Sequence, residues 1–174
     1  MKMKKNLAVL LGVLIVAVLL SGFTAEELVL SENYALGAYW FTSTNYGKSY
    51  TGEKAFDGDT STRWSAANNA TRDQFIGVDF GKEVTYNFVI IQEINYPRVA
   101  SYVLQYSNDG ETFHDIPGTQ GTTLGAYKEI SFAPVTSRYF RLYIFQSISE
   151  KNSEIEDEPT INEISVYYAE KAAK

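Results

Sequence analysis

The sequence predicts an all-β fold, an antiparallel sandwich or barrel, on three observations. Short alternating or fully apolar runs recur roughly every 8–12 residues with turn residues between them. No apolar pattern of helical period and useful length occurs after residue 27. The chain also carries 13 Tyr, 10 Phe and 2 Trp, residue types that suit half-buried pleated surfaces.

The elements follow in order. Phe75 to Phe80 alternates, and Gly81-Lys82 is expected to turn the chain. Asn87 to Gln92 (NFVIIQ) has the apolar density of a strand buried on both faces. Ser101 to Ser107 alternates again, and Asn108-Asp109-Gly110 is a hairpin signal because these residues tolerate positive φ. Glu111 to Ile116 is the expected return strand. Tyr127 to Phe132 and Arg138 to Phe145 alternate, and Ile161 to Tyr168 is the last strand. The acidic stretch Ser147 to Pro159 is expected to be a loop, and Ala169 to Lys174 a disordered tail.

The first 25 residues stand apart. Lys2, Lys4 and Lys5 precede an apolar run from Leu7 to Leu20, and small or polar residues follow at Ser21, Gly22, Thr24 and Ala25. This is the layout of a secretory signal peptide. Phe23 spoils the cleavage signal, so an uncleaved N-terminal anchor is the alternative. Residues 26–168 then form one domain, of a size that supports its own core. The expected setting is secreted or on the extracytoplasmic cell surface.

Without its first 25 residues the chain carries 12 Lys and Arg against 21 Asp and Glu, a formal charge near −9. That balance argues against nucleic acid and anionic membrane surfaces as partners. A membrane connection is left only to the N-terminal segment, and a monomer is expected. The absence of Cys excludes thiol nucleophiles, zinc–thiolate sites and disulfide staples. The fold must rest on its core or on a metal. Catalysis is not expected. The single His, His114, falls in an expected strand, and the acids from Glu150 to Glu158 lie in a polar loop with no apolar surround to raise a pKa.

One segment concentrates oxygen chemistry: Lys54 to Trp64, KAFDGDTSTRW. Asp57, Asp59 and Thr62 sit within six residues, and Gly58 allows a tight bend between them. A hard cation such as calcium takes 6–8 oxygens, mixing carboxylates with carbonyls. An Asp-Gly turn with no ion is the simpler reading of the spacing, which does not match an EF-hand.

Seven motifs in sequence carry a resemblance. They are Asn33 to Gly37, Thr42-Ser43, Lys54 to Asp59 with Thr62-Arg63-Trp64, Phe75 to Lys82, Ser107 to Gly110 with Phe113, Arg138 to Leu142, and Ile161 to Ile164. Over residues 33–168 the chain resembles the coagulation factor five/eight C-type, or discoidin, family, which includes the family 32 carbohydrate-binding modules. The resemblance implies a jelly-roll β-sandwich of the galactose-binding-domain-like kind. It also implies one structural calcium ion. The Asp57 and Thr62 side chains, the carbonyls of Lys54, Asp59, Thr62 and Asn162, and the Glu163 carboxylate would be its ligands. Trp64 is expected in the core behind that loop.

The implied function is a non-catalytic, extracellular, glycan-binding module. A protein- or phospholipid-binding adhesion domain is the alternative. Sugar recognition needs an aromatic face and planar polar groups on loops over a rigid scaffold. The loops expected to supply them are 40–50, 65–72, 95–98 and 145–159. Their candidate ligand-binding residues are Tyr46, Asn68, Asn69, Arg72, Tyr96 and Arg98, with Phe145 beside them. Galactose-binding relatives carry a loop His that this chain lacks. The stretch Glu93 to Val99 instead resembles the version found on some fucosidases, in which Glu93 and Arg98 are expected to pair.

Overall fold

A computed structural model describes residues 28–93, 97–149 and 156–172. Nine strands occur among them: β1 (Leu28–Leu30), β2 (Tyr39–Thr42), β3 (Trp64–Ser65), β4 (Arg72–Glu93), β5 (Val99–Ser107), β6 (His114–Asp115), β7 (Tyr127–Ser147), β8 (Thr160–Tyr167) and β9 (Ala169–Lys171). The one helical element among the described residues is a 3-10 turn at Gly52–Ala55. Every strand pairing is antiparallel, and the fold is the expected β-sandwich.

Two long strands build both layers. Residues 72–79 of β4 pair with β2 and with the second half of β7, which continues the layer into β5 and β6. Residues 84–93 of β4 pair with the first half of β7 and with β8, whose far edge holds β3. The ladder between β4 and β7 is irregular between Asp79 and Val84. Gly81 lies there at φ +73°, its amide donating to Asp79 Oδ1 at 2.7 Å. Gly81-Lys82 was expected to end a strand; it forms a bulge within one, which lets a single strand serve two layers. Arg138 faces this bulge and clasps both Asp79 oxygens at 2.7 Å.

The core lies between the layers. Ile76, Val78, Phe140, Leu142 and Ile144 from one side meet Val89, Ile91, Ile130, Ile164 and Val166 from the other. Trp64 is fully buried in this cluster, and its indole N–H donates to the Thr44 carbonyl at 3.0 Å.

Two further expectations change. The segment Glu111 to Ile116 narrows to the two-residue β6, because Asp109 Oδ1 accepts the amides of Glu111 and Thr112 and holds that stretch in a turn. The tail is also partly ordered. Ala169–Lys171 pairs with Leu28–Leu30, and Leu30 packs on Phe88 and Ile90 to cover an outer patch of β4. Residues 1–25, expected to be a signal peptide or anchor, lie outside the described residues.

Candidate functional site

The oxygen-rich loop is closed by the 3-10 turn, which presents the Lys54 carbonyl to it. Thr62 Oγ1 lies 3.1 Å from Lys54 O, 2.9 and 3.1 Å from the two Asp57 oxygens and 3.1 Å from Asp59 O. A hydroxyl has one proton, so it satisfies one of these four oxygens and faces the others lone pair to lone pair. Gly58, at φ +77°, donates its amide to Glu163 Oε2 at 3.2 Å, which brings the closing strand β8 against the loop. Glu163 is 4% exposed, and its second oxygen has no partner. Burial first, then the Asp57 and Asp59 charges, push its carboxyl up to about 7.

The loop therefore brings Lys54, Asp57, Asp59, Thr62 and Glu163 together as the sequence suggested. The Asp59 carboxylate turns away to Ser61, accepting its amide at 2.9 Å and its hydroxyl at 2.6 Å, so Asp59 offers the cluster its carbonyl. Asn162 donates its side-chain amide to Thr60 O at 2.8 Å. Lys54 Nζ approaches Asp57 at 3.4 Å. No group of three or more Asp, Glu, His or Cys side chains gathers as a metal cage among the described residues. A cation here would depend on carbonyl and hydroxyl oxygens with two carboxylates, a donor set that suits a hard ion.

Beside this loop opens a cleft of about 700 Å³. Thr60, Ser61 and Asn162 form the wall it shares with the loop. Its other walls bring together Tyr46 and Tyr50, Arg63, the end of β4 at Glu93, the approach to β5 at Arg98, and Glu158 with Thr160. Tyr46 is 45% exposed and meets Tyr50 edge to face at 5.9 Å. The Arg63 guanidinium lies 4.6 Å from the Tyr50 ring centre.

Glu93 is 5% exposed, and burial pushes its carboxyl up to about 7. Its Oε1 accepts the backbone amides of Arg98 and Val99 at 2.8 and 3.0 Å. The expected side-chain pair between Glu93 and Arg98 does not form. The Arg98 guanidinium turns instead to the segment before β8, donating to Glu158 O at 3.0 Å and standing 3.6 and 3.8 Å from the Glu158 and Asp157 carboxylates.

Four buried side-chain atoms of this cleft have no hydrogen-bond partner: Arg63 Nε, Glu93 Oε2, Thr160 Oγ1 and Asn162 Oδ1. Buried polar atoms are normally satisfied by protein or by water, so such a gathering makes this cleft the candidate site for a polar ligand.

Of the residues the sequence suggested for a ligand, Tyr46 and Arg98 line this cleft. Asn68 and Asn69 are exposed on the connection between β3 and β4, Asn69 at φ 64°, and neither lines it. Arg72 begins β4 and pairs with Glu156 away from the cleft lining. Phe145 lies on β7 against Tyr143, with ring centres 5.2 Å apart. Tyr96 lies outside the described residues. Sequence reading missed Arg63, Glu93 and Thr160 as lining residues. Arg63 stood inside a quoted motif, and only its spacing, next to Thr62 and Trp64, pointed at the site.

A model of the F5/8 type C domain matches residues 41–157. The chain belongs to this family. Solved structures similar to this F5/8 type C domain include chitosan-binding module 1 from a chitosanase/glucanase of Paenibacillus sp. IK-5. It is 26% identical with a TM-score of 0.68, over 79% of this chain and 99% of the module. Module 2 of the same enzyme, in complex with chitotriose, is 26% identical with a TM-score of 0.65, over 78% of this chain and 99% of the module. A Ruminococcus gnavus GH29 fucosidase in complex with fucose is 26% identical with a TM-score of 0.67. That match covers 79% of this chain and 27% of the fucosidase. A comparison with curated proteins gave no match.

Proposed function

We propose that this F5/8 type C domain is a non-catalytic, exported carbohydrate-binding module, with the cleft as its glycan site and a structural calcium ion in the adjoining loop. The cleft carries the reading. It joins a half-exposed Tyr46 ring to buried donors and acceptors without partners, which is what a sugar's C–H face and hydroxyls require. The similarity to modules described as chitosan-binding, one of them with chitotriose bound, supports the same class of ligand.

Calcium is proposed on the loop's own chemistry. Lys54 O, Asp57, Asp59 O, Thr62 and Glu163 converge, and a divalent cation would relieve both the facing lone pairs and the unpaired Glu163 oxygen. Its role would be to tie the loop to β8 and so to firm the wall that Thr60 and Asn162 give the cleft.

A glycan array probed with the full chain, with and without EDTA, tests the proposal. Retention on a restricted set of glycans, weakened about tenfold by Arg98→Ala in a folded variant, is the expected result. Retention on anionic vesicles with no glycan signal would favour the adhesion-domain alternative and overturn this one.

A further inference from the structure

We infer that the cleft selects a glycan bearing a free primary ammonium, a hexosamine whose amine is not acylated, and that Glu93 is the residue that sets this specificity. The inference rests on reading the cleft as a glycan site and adds the chemical class of sugar.

The unpartnered atoms define what the ligand must bring. Arg63 Nε is a donor, Glu93 Oε2 and Asn162 Oδ1 are acceptors, and Thr160 Oγ1 is a hydroxyl that serves as either. Glu93 and Thr160 are 5% and 3% exposed, so neither is an ordinary solvated side chain. An unsatisfied polar atom at such depth costs about 1–3 kcal/mol, and more for a charged one. Among these unpartnered atoms two are acceptors and one is a donor. An ammonium offers three N–H donors and no acceptor, which complements that balance. An acetamide offers one N–H, and a sugar carboxylate none.

Charge points the same way. Glu93, Asp157 and Glu158 all stand by Arg98, whose guanidinium is taken up by the Glu158 carbonyl and by the Glu158 and Asp157 carboxylates. The other cation of the cleft, Arg63, rests on the Tyr50 ring. Glu93 and Glu158 line the cleft with Arg63 and Arg98, and Asp157 stands outside the lining by Arg98, so with Arg98 already engaged Glu93 is the acid left to meet a ligand. Ionising Glu93 at this depth, with one oxygen unpartnered, is unfavourable until a cation joins it. A metal ion is not the natural occupant, since the unpartnered atoms are spread over separate walls and only one of them is a carboxylate oxygen. An organic cation carried on a wider polar frame is. The sugar's hydroxyls would then meet Arg63 Nε and Thr160, and Tyr46 would take its C–H face.

Titration calorimetry on the calcium-loaded full chain tests this with three probes: the fully deacetylated glucosamine trimer, its fully N-acetylated counterpart, and cellotriose. The glucosamine trimer is expected to bind at least tenfold more tightly than the other two. Glu93→Gln keeps an oxygen for the Arg98 and Val99 amides and removes the charge. It should erase that preference while leaving N-acetylated and neutral trimers within about twofold of wild type. Asp157→Asn, 3.8 Å from the Arg98 guanidinium and outside the cleft lining, should reduce the preference severalfold through Arg98 if Glu93→Gln proves too unstable to measure. Equal affinity for the three trimers, or an undiminished preference in folded Glu93→Gln and Asp157→Asn, would overturn the inference. Binding of other glycans on the array would then leave the general glycan reading intact, whereas silence across the whole array would remove both.

Discussion

Thr160 and Glu163 stand three residues apart on one strand, yet the two sites they serve leave oxygen atoms unpaired in different ways. Beside the unpaired oxygen of Glu163, acceptors crowd together, with four oxygens within 3.1 Å of a single hydroxyl. Around Thr160 the unpaired atoms are spread over separate walls of a cleft of about 700 Å³ and include a guanidinium donor. Crowded acceptors are complementary to one small cation. Dispersed donors and acceptors beside an aromatic ring are complementary to an extended polar ligand. The difference teaches that unsatisfied atoms must be read by their spacing and sign, not counted.

The comparison predicts that metal acts on stability and mutations in the cleft act on binding. The largest effect is expected from the loop. A ligand that binds only the native state at a thousandfold above its Kd adds about 4 kcal/mol. For a domain of this size that is roughly 12 °C of Tm. Calorimetric scans in calcium and in EDTA should differ by about that much, and Asp57→Ala should abolish the difference. Identical scans for the wild type would break the contrast between the two regions.

Next in size is a pH effect of Glu93 in the calcium-loaded protein. Its carboxyl lies near 7 in the fold against 4.5 for an ordinary Glu. The native state thus holds this proton after the unfolded chain has lost it, so stability falls as pH rises from about 4.5 to 7. The contribution is on the order of 3 kcal/mol. Glu93→Gln should flatten that slope. Asp109, held down to about 2 by the Thr112 and Glu111 amides, works in the opposite direction and loses its contribution as pH falls below 3.8. Denaturant titrations across pH 3–8 separate the two.

Arg98→Ala should cost about 1–2 kcal/mol, because it leaves the Glu158 carbonyl and two partly buried carboxylates without their cation. It should weaken glycan binding about tenfold, as a lost charge-assisted contact network does. The smallest effect is Tyr46→Ala. Its exposed ring should contribute less than about 0.5 kcal/mol to folding. Glycan affinity should still fall severalfold, a split that denaturant melts and calorimetry on one variant would show.

Much of the loop was legible in the sequence, because its oxygens lie between Lys54 and Thr62 and only Glu163 is remote. The cleft was not. Its residues come from Arg63, Glu93, Arg98 and Thr160, at the ends of different elements, so no local pattern announces them. Reading loop tips as the ligand surface favoured Asn68, Asn69 and Arg72, which are exposed but stand outside the cleft lining. Glu93 and Arg98 were correctly placed together, but side-chain complementarity suggested an ion pair where Glu93 caps backbone amides.

The strands were legible as runs, not as wholes. A glycine bulge inside β4 has the same composition as a hairpin turn, and only its pairing on both sides to β7 tells them apart. The short β9 could not be read from Ala169-Glu170-Lys171 alone, since its ordering comes from backbone pairing with residues at the other end of the chain.

The most direct test is a pair of ¹⁵N–¹H correlation spectra of the calcium-loaded protein, recorded while it is titrated with the glucosamine trimer. The account predicts that the Arg63 Nε–H signal and the amides of Arg98, Thr160 and Asn162 shift together and saturably, while those of Asn68 and Asn69 stay in place. Shifts confined to the Asn68–Asn69 segment or to the exposed face around Phe145, with Arg63 and Thr160 unmoved, would contradict it.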